Sequence, residues 1–176
     1  VYHAAWSPDG ATLAVTYNER FSSLVDEEQR VALVDVAEGG WTRISDPERH
    51  ASMASFSPDG RTLAYFHDRD AELRAYLNLK DLVVRDLATG RDLDDELTDI
   101  KFTAAAWAAD SQGFFYGRYP RNEEGEPDDS KQTKVYYHRL GDAQADDLLF
   151  YEVTDHDRRN PEVETSEDGR FVIITE

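Results

Sequence analysis

The sequence Ser7-Pro8-Asp9-Gly10 recurs, residue for residue, at Ser57-Pro58-Asp59-Gly60, each time after an aromatic residue and before an apolar run. Degenerate copies start at Ala108 and Ser166, so the copies begin at positions 7, 57, 108 and 166, which are 50, 51 and 58 residues apart. Proline presets one turn dihedral, aspartate accepts bonds from the backbone ahead of it, and glycine adopts positive φ, so each copy predicts a β-hairpin turn. A repeat of this period is typical of propeller blades, which bury their apolar faces against one another.

The apolar runs around these turns predict an all-β protein, a β-propeller fragment of about three and a half four-stranded blades. We expect one propeller segment over 1–176, with blades at about 1–48, 49–98 and 99–158 and a half blade at 159–176. The predicted strands are 2–6, 12–17, 31–36 and 41–44; 52–56, 62–67, 82–87 and 91–93; 103–107, 113–118, 135–140 and 148–152; and 163–165 and 171–175. The polar stretch 119–134 is expected to be a mobile surface loop.

The composition restricts the classes of partner. The formal charge of −18, from 37 acidic and 19 basic residues, opposes binding to nucleic acid or anionic lipid. The chain has no cysteine, which excludes disulfides and thiolate sites and suits a reducing compartment. No apolar run approaches the ~20 residues of a membrane span. We therefore expect a soluble cytoplasmic protein, with a periplasmic location as the alternative; the acidity also fits a salt-rich cytoplasm.

The residues that could carry chemistry form no recognisable catalytic or metal-binding pattern. The nucleophile motif Gly-x-Ser-x-Gly is absent, and we expect the serines of the turns to bond local backbone. The five histidines lack the i, i+4 spacing of a zinc site, so no metal or cofactor is expected. These histidines are His3, His50, His67, His138 and His156.

We interpret several acidic and aromatic residues as parts of loops or of the core and not of a functional site. The stretches 67–70 and 155–157 could bind a cation loosely but are interpreted as solvated polar loops. Carboxylate runs at 94–96 and 146–147 carry little information, because such runs abound in so acidic a chain. Trp6, Phe56 and Trp107 recur at one blade position, and we expect all three in the core between blades.

The second half of the chain resembles the β-propeller of prolyl oligopeptidases. The resemblance rests on Ile100 to Phe102, Gly113 to Arg121, Lys134 to Gly141 and Val163 to Val172. Residues 1 to about 80 resemble the looser blades of dipeptidyl and acylaminoacyl peptidases and of TolB-like proteins. This change of character leaves open whether the chain is a natural fragment or a recombined or designed propeller.

The resemblance implies a propeller that caps an α/β-hydrolase domain and restricts its access to short peptides. It implies that Phe102 lies near the substrate's entry side, as a substrate-binding residue; packing between blades is the alternative role. Because the catalytic motif is absent, we expect no peptidase activity from this chain alone.

Two functions follow as expectations. The first is a non-catalytic module that gates or positions peptides for a separate serine hydrolase domain; the alternative is a protein-interaction scaffold without substrate. We also expect a homodimer, because three and a half blades leave apolar faces bare at both ends. In that homodimer, 163–175 of one chain would contact 2–17 of the other.

Overall fold

The computed structural model describes residues 3–19, 28–68, 80–101, 103–154 and 159–176. Across these ranges the chain is built from β-strands and a short 3-10 helix, and no helix there is long and apolar enough to cross a membrane. The strands are β1 His3–Trp6, β2 Thr12–Asn18, β3 Gln29–Asp35, β4 Trp41–Arg43, β5 Ala51–Phe56, β6 Thr62–Asp68, β7 Lys80–Asp86, β8 Arg91–Ile100, β9 Ala106–Trp107, β10 Gly113–Arg118, β11 Lys134–Arg139, β12 Leu148–Tyr151, β13 Glu162–Thr165 and β14 Val172–Thr175. The 3-10 helix η1 spans Gln144–Asp146.

These strands form antiparallel, propeller-like blades in chain order. Strands β1 to β4 form the first blade, β5 to β8 the second, β9 to β12 the third, and the hairpin β13–β14 follows. The second and third blades join into one sheet, because Ile100 of β8 pairs with Arg118 of β10. The expected all-β propeller architecture is confirmed.

The three turns that carry both serine and glycine share one hydrogen-bond pattern. In the first turn, Ser7 Oγ donates to Asp9 Oδ1 (2.6 Å) and accepts the backbone N–H of Thr12 (2.9 Å). The corresponding bonds are 2.6 and 3.0 Å at Ser57 and 2.7 and 3.1 Å at Ser166. The prediction that these hydroxyls bond within their own turns is confirmed.

Successive turns also pack on one another. A Cβ at Gly60 would lie 3.4 Å from Pro8 Cδ of the preceding turn, and a Cβ at Gly169 would lie 2.5 Å from Ala109 Cβ. The third turn has Ser111 in place of glycine, at φ 58°, and Ser111 Oγ accepts the backbone N–H of Asp59 at 3.0 Å. From the second turn onward, the fourth position of each turn is therefore in contact with the turn before it.

Apolar side chains fill the spaces between successive blades. Tyr65 and Leu63 pack on the first blade, and Phe114 and Tyr116 pack on the second. Val163 of β13 is buried against the third blade. Each blade therefore buries a face only where another blade adjoins it, as expected for a stacked repeat.

The aromatic residue before each turn is buried to very different extents. Trp107 is 4% exposed and donates from Nε1 to the carbonyl of Ser55 in the preceding blade. Phe56 is partly buried against the first blade. Trp6 is 60% exposed, because no blade precedes the first within the described residues. The expectation of a core position is therefore wrong for Trp6.

The polar connection between β10 and β11 is more ordered than its composition predicts. The backbone N–H of Asp128 donates to the carbonyl of Pro120 (2.8 Å), and that of Asn122 donates to the carbonyl of Glu126 (2.8 Å). Arg121 forms an ion pair with the buried Asp99. This surface stretch is thus a folded loop fastened to the end of β8, and its mobility stays a prediction.

Candidate functional site

The first strands of successive blades lie next to one another, as strands around a propeller's central channel do. Strand β1 contacts β5 of the next blade, and β9 contacts β13. Between them opens a pocket of about 340 Å³, which we name the axial pocket. Its lining comprises Met53, Phe66, Lys80, Ile100, Lys101, Thr103, Ala104, Glu162, Val163 and Glu164.

The axial pocket opens where the first strand of the third blade is incomplete. We expected a short fourth strand at 91–93 and a first strand at 103–107; β8 instead extends to Ile100, and β9 is only Ala106–Trp107. Ile100 takes the pairing position beside Arg118, while β9 pairs with the other end of β10. Residues 101 and 103–105 therefore lie outside the sheet, and three of them line the pocket.

Three residues explain why this extension of β8 is stable. Leu97 and Ile100 of β8 are buried in the core between the second and third blades, so extending β8 buries apolar surface. Gly117 of β10 lets Thr103 approach closely, since a Cβ there would lie 3.3 Å from Thr103 Cβ. The strand bounds depend on these contacts between distant segments.

The lining of the axial pocket is apolar at its base and charged at its walls. Its apolar lining includes Phe66, Ile100 and Val163, which are almost fully buried. Lys80 begins β7 beside Ile100, and its Nζ donates to Ser52 Oγ at 3.1 Å. Lys101 Nζ lies 5.8 Å from the ring centre of Tyr119.

The opposite wall of the axial pocket is formed by β13. Glu162 and Glu164 are exposed and lie on the same face of that strand, on either side of the buried Val163. The pocket thus combines an apolar base with groups of both charges, a combination suited to a small amphoteric ligand.

Met53 contributes a strained backbone to the axial pocket. Its φ of 54° is uncommon for a residue with a side chain, and it lies at an irregularity of β5 between Ser52 and Ser55. The Met53 N–H donates to Thr16 Oγ1 of the first blade at 3.2 Å, which holds the residue in place. Backbone strain of this kind is concentrated at functional positions.

Phe102, the predicted substrate-binding residue, lies outside the described residues. Its neighbours Lys101 and Thr103 both line the axial pocket. The role of Phe102 stays a prediction.

A second pocket lies at the other end of the inner strands, among the turns. It has a volume of about 570 Å³. It is lined by Pro8, Ser55, Phe56, Pro58, Ala105, Ala106, Trp107, Ala109 and 165–169. The glycine and proline residues that line this pocket also form the contacts between successive turns. We therefore assign the pocket to packing between blades.

A buried charged cluster joins the second and third blades. His138 Nδ1 lies 2.7 Å from Asp147 Oδ1, and His138 Nε2 lies 3.0 Å from Asp95 Oδ1. The Tyr116 hydroxyl donates to Asp147 Oδ2 at 2.5 Å, and the Gly141 N–H donates to Asp95 at 2.6 Å. Since Asp95 belongs to β8 and His138 to β11, we name this cluster the interblade clamp.

The electrostatics of the interblade clamp favour a protonated histidine. Burial opposes the charge on His138, but the hydrogen bonds to Asp147 and Asp95 outweigh it and raise the pKa to about 9. Burial likewise opposes the charge on Asp95, yet the His138 ring and the Gly141 N–H lower its pKa. The cluster is closed to solvent and fastens blades, so we assign it no catalytic role.

The sequence interpretation missed this cluster. Asp95 and Asp147 lie within the two carboxylate runs that we regarded as uninformative, and nothing in their spacing distinguishes them. A second correction concerns 67–70: His67 and Asp68 are buried at the end of β6 instead of solvated, and burial lowers the pKa of His67 to about 4. Residues 69–70 and 155–157 lie outside the described residues.

Comparisons with known proteins agree with this architecture. Residues 49–176 match the family described as "Prolyl oligopeptidase, N-terminal beta-propeller domain". The dual function macrocyclase-peptidase POPB of Galerina marginata is 30% identical over 129 residues, which cover 69% of this chain and 18% of the relative. Prolyl oligopeptidase A of Amanita bisporigera is 39% identical over 88 residues, 47% of this chain and 12% of the relative.

Solved structures show the same fold. A prolyl endopeptidase superposes with a TM-score of 0.73 at 22% identity, over 93% of this chain and 23% of that structure. TolB of Acinetobacter baumannii superposes with a TM-score of 0.64 at 17% identity, over 97% of this chain and 36% of TolB. The chain spans less than a fifth of the length of the two curated relatives above. With the family match extending over most of its residues, the chain belongs to the prolyl oligopeptidase family, within that family's N-terminal β-propeller domain.

Proposed function

We propose that this chain gates or positions peptide substrates for a separate serine hydrolase domain. The observation that carries the proposal is the axial pocket, which lies where the inner strand is interrupted and combines an apolar base with charged walls. A peptide that passes along the first strands β5 and β13 would meet this pocket.

The division of labour between domains supports this proposal. The sequence lacks Gly-x-Ser-x-Gly, and the family match concerns the propeller region alone. A related structure, prolyl oligopeptidase B of Galerina marginata, is described as bound to a 35mer hydrolysis and macrocyclization substrate. In this proposal the present chain contributes selection of the peptide, and bond cleavage requires the hydrolase domain.

A binding and activity assay on the purified chain tests the proposal. We expect short proline-containing peptides to shift NMR resonances of residues lining the axial pocket, without hydrolysis of a proline-containing chromogenic peptide. Turnover that a serine-directed inhibitor abolishes would contradict the proposal, and so would a complete lack of peptide binding.

The exposed apolar ends of the molecule favour a second candidate, a protein-interaction scaffold. Trp6 and Trp41 are more than half exposed on the first blade. Phe171 and Ile173 are exposed at the opposite end, on or beside β14. Neighbouring apolar groups that remain open to water favour association with another protein surface.

In its simplest form this second candidate is the homodimer expected from the sequence. Two chains would bring residues 163–175 of each against the first blade of the other and so cover both ends. Light scattering at micromolar concentration tests this form, because a stable 20.0 kDa monomer would exclude it. A pull-down separates the two candidate functions: recovery of a hydrolase domain favours the first, and recovery of an unrelated protein favours the second.

A further inference from the structure

The outer strands of the three described blades differ in charge. Strand β4 is only three residues long and ends in Arg43, which pairs with Glu19 at 2.7 Å. Strand β8 is charged at every position from Arg91 to Glu96 except Leu93. Short length and charged side chains are the usual means by which edge strands avoid pairing with other chains. Strand β12, Leu148–Tyr151, carries no charge and is the exception.

Consecutive apolar side chains are open to solvent along β12. Leu148, Leu149 and Phe150 are 68%, 50% and 48% exposed. The strand is the last in the order of its sheet, where it pairs with β11 among the described residues. The Phe150 ring packs against Phe115, with 4.6 Å between ring centres, which holds the strand on its blade. Residues 148–150, which we name the β12 edge, therefore form a preformed strand edge of the kind that accepts a further strand.

We propose that the β12 edge binds an extended segment of a partner protein by antiparallel strand addition, and that this segment has apolar residues followed by lysine or arginine at its C-terminal end. In strand addition, main-chain hydrogen bonds provide affinity and side chains provide specificity. This surface is separate from the axial pocket, so the inference does not depend on the proposed function.

The residues around the start of β12 indicate the charge of the partner. A pocket of about 420 Å³ at this end of the strand is lined by the exposed residues Asp110, Asp142 and Asp146, and also by Arg139. Tyr137 lines it too, and the pKa of its phenol is raised by burial and then by the charge of Asp110. We name this the acidic pocket. A cationic side chain at this end of an added strand would meet a net negative charge.

The direction of β12 determines which end of the partner carries the cations. Strand β12 begins beside the acidic pocket, directly after η1, and runs away from it to Tyr151. At the far end, Glu152 is already paired with Lys134. An antiparallel partner ends beside the acidic pocket, so its C-terminal residues are the ones that meet the carboxylates.

A second copy of this chain is a poor occupant of the β12 edge. Two antiparallel β12 strands would bring Asp146 of each chain towards Glu152 of the other. Each chain also carries a formal charge of −18, so the approach of two copies is opposed at long range. The same charge favours the approach of a basic segment.

Three peptides test this inference. The first is acetyl-Val-Thr-Val-Thr-Val-Lys-Lys-amide, the second has Gln-Gln in place of Lys-Lys, and the third has Lys-Lys at the amino end. NMR titration of the ¹⁵N-labelled chain gives affinity and location together, with the backbone amides of Leu148, Leu149 and Phe150 as probes. We expect the first peptide to bind about fivefold more tightly than either of the others, the ratio that one solvent-exposed ion pair can supply.

Matched variants identify the groups responsible. Leu149→Thr keeps a good strand former but removes apolar surface, and it should weaken the first peptide about threefold, as loss of one cross-strand pair does. Val36→Thr changes a side chain of similar exposure, 47%, on the first blade and should leave the affinity unchanged.

A second pair of variants tests the role of charge. Asp142→Asn together with Asp146→Asn should abolish the preference for Lys-Lys over Gln-Gln. Glu123→Gln together with Glu124→Gln removes the same formal charge from exposed positions of the 119–134 loop and should leave the preference intact.

Several outcomes would overturn the inference. Equal affinities of the three peptides would exclude recognition of charge and direction, and an equal loss in both double variants would assign the preference to overall charge. Shifts confined to β14, the other apolar strand with one described partner, would place binding elsewhere. Shifts of the β12 amides with protein concentration alone would assign the β12 edge to a second copy. A lack of shifts with all three peptides would exclude strand addition.

Discussion

The second and third blades contain related charged clusters with different partners. In the second blade, Tyr65 and Arg85 both reach Asp92, and Arg85 and Asp92 are 19% and 44% exposed. In the third blade, the equivalent cluster is Tyr116, His138 and Asp147, with a buried histidine.

The difference between these clusters comes from the preceding blade. Asp95 lies three residues after Asp92, and its carboxylate contacts His138 of the third blade. In the first blade, Trp41 is at the position of Asp92, and the residue three positions later is Ile44, which packs in the apolar core. One carboxylate therefore turns a cluster within a blade into a connection between blades. In a repeat protein, the role of a side chain depends as much on the adjoining blade as on its position in its own blade.

Removal of the central cation should produce the largest effect. His138→Ala leaves Asp95 and Asp147 buried close together without a counterion, and we expect a loss of about 3–5 kcal/mol in the free energy of unfolding. Arg85→Ala, the matched change in the second blade, should cost less than about 1 kcal/mol because Asp92 stays hydrated. Urea denaturation measures both values, and equal losses would contradict the comparison.

Stability should also fall at alkaline pH. The pKa of His138 in the folded chain is about 9, above its ordinary value of 6.5, so its contribution is complete below about pH 6.5 and is lost as pH rises through 9. The shift corresponds to a loss of about 3 kcal/mol. Chemical denaturation between pH 6 and 10 checks the slope, with His138→Ala as the control that should lack it.

The turns allow a second comparison, between a glycine that contacts the preceding turn and one that does not. Gly169→Ala would place a methyl group 2.5 Å from Ala109 Cβ at a φ of 67°, and we expect a cost of about 2–3 kcal/mol. Gly10→Ala, at φ 70° with nothing within 4 Å, should cost only about 1 kcal/mol for the backbone conformation. Thermal unfolding of the two variants measures the difference, and equal costs would show that turn stacking contributes nothing.

The smallest effect is expected at the exceptional turn. Ser111→Gly removes the hydrogen bond from Asp59 but relieves a φ of 58°, so the two changes should cancel to within about 0.5 kcal/mol. Ser111→Ala keeps the backbone strain and loses the bond, and it should cost about 1 kcal/mol. A larger loss in the glycine variant than in the alanine variant would reverse this interpretation.

The features that local sequence determines were predictable. The serine, aspartate and glycine of the first, second and fourth turns fix their dihedrals and hydrogen bonds within five residues, and the aromatic run after the third turn predicts β10 at its observed bounds. The extension of β8 was not predictable, because it depends on a pairing between Ile100 and Arg118 in different blades. The exposure of Trp6 likewise depends on a neighbour and not on its own position in the repeat.

The axial pocket and the interblade clamp could not be predicted for a related reason, since each brings together residues that are distant in the chain. Lys80 and Glu162 are 82 residues apart in the chain and line the same pocket only because the folded chain brings β7 and β13 to it. Asp95 and Asp147 were two carboxylates among many, and only their distances to His138 distinguish them. The prediction for Phe102 remains to be tested.

The sharing of β8 between two blades has a mechanical consequence. A continuous sheet and a buried ion cluster hold the second and third blades, so a force that separates them must break both at once. The first and second blades are held mainly by apolar packing, which yields gradually as water enters. Of these two interfaces between described residues, the one between the first and second blades is therefore the weaker, and separation of the blades would begin there.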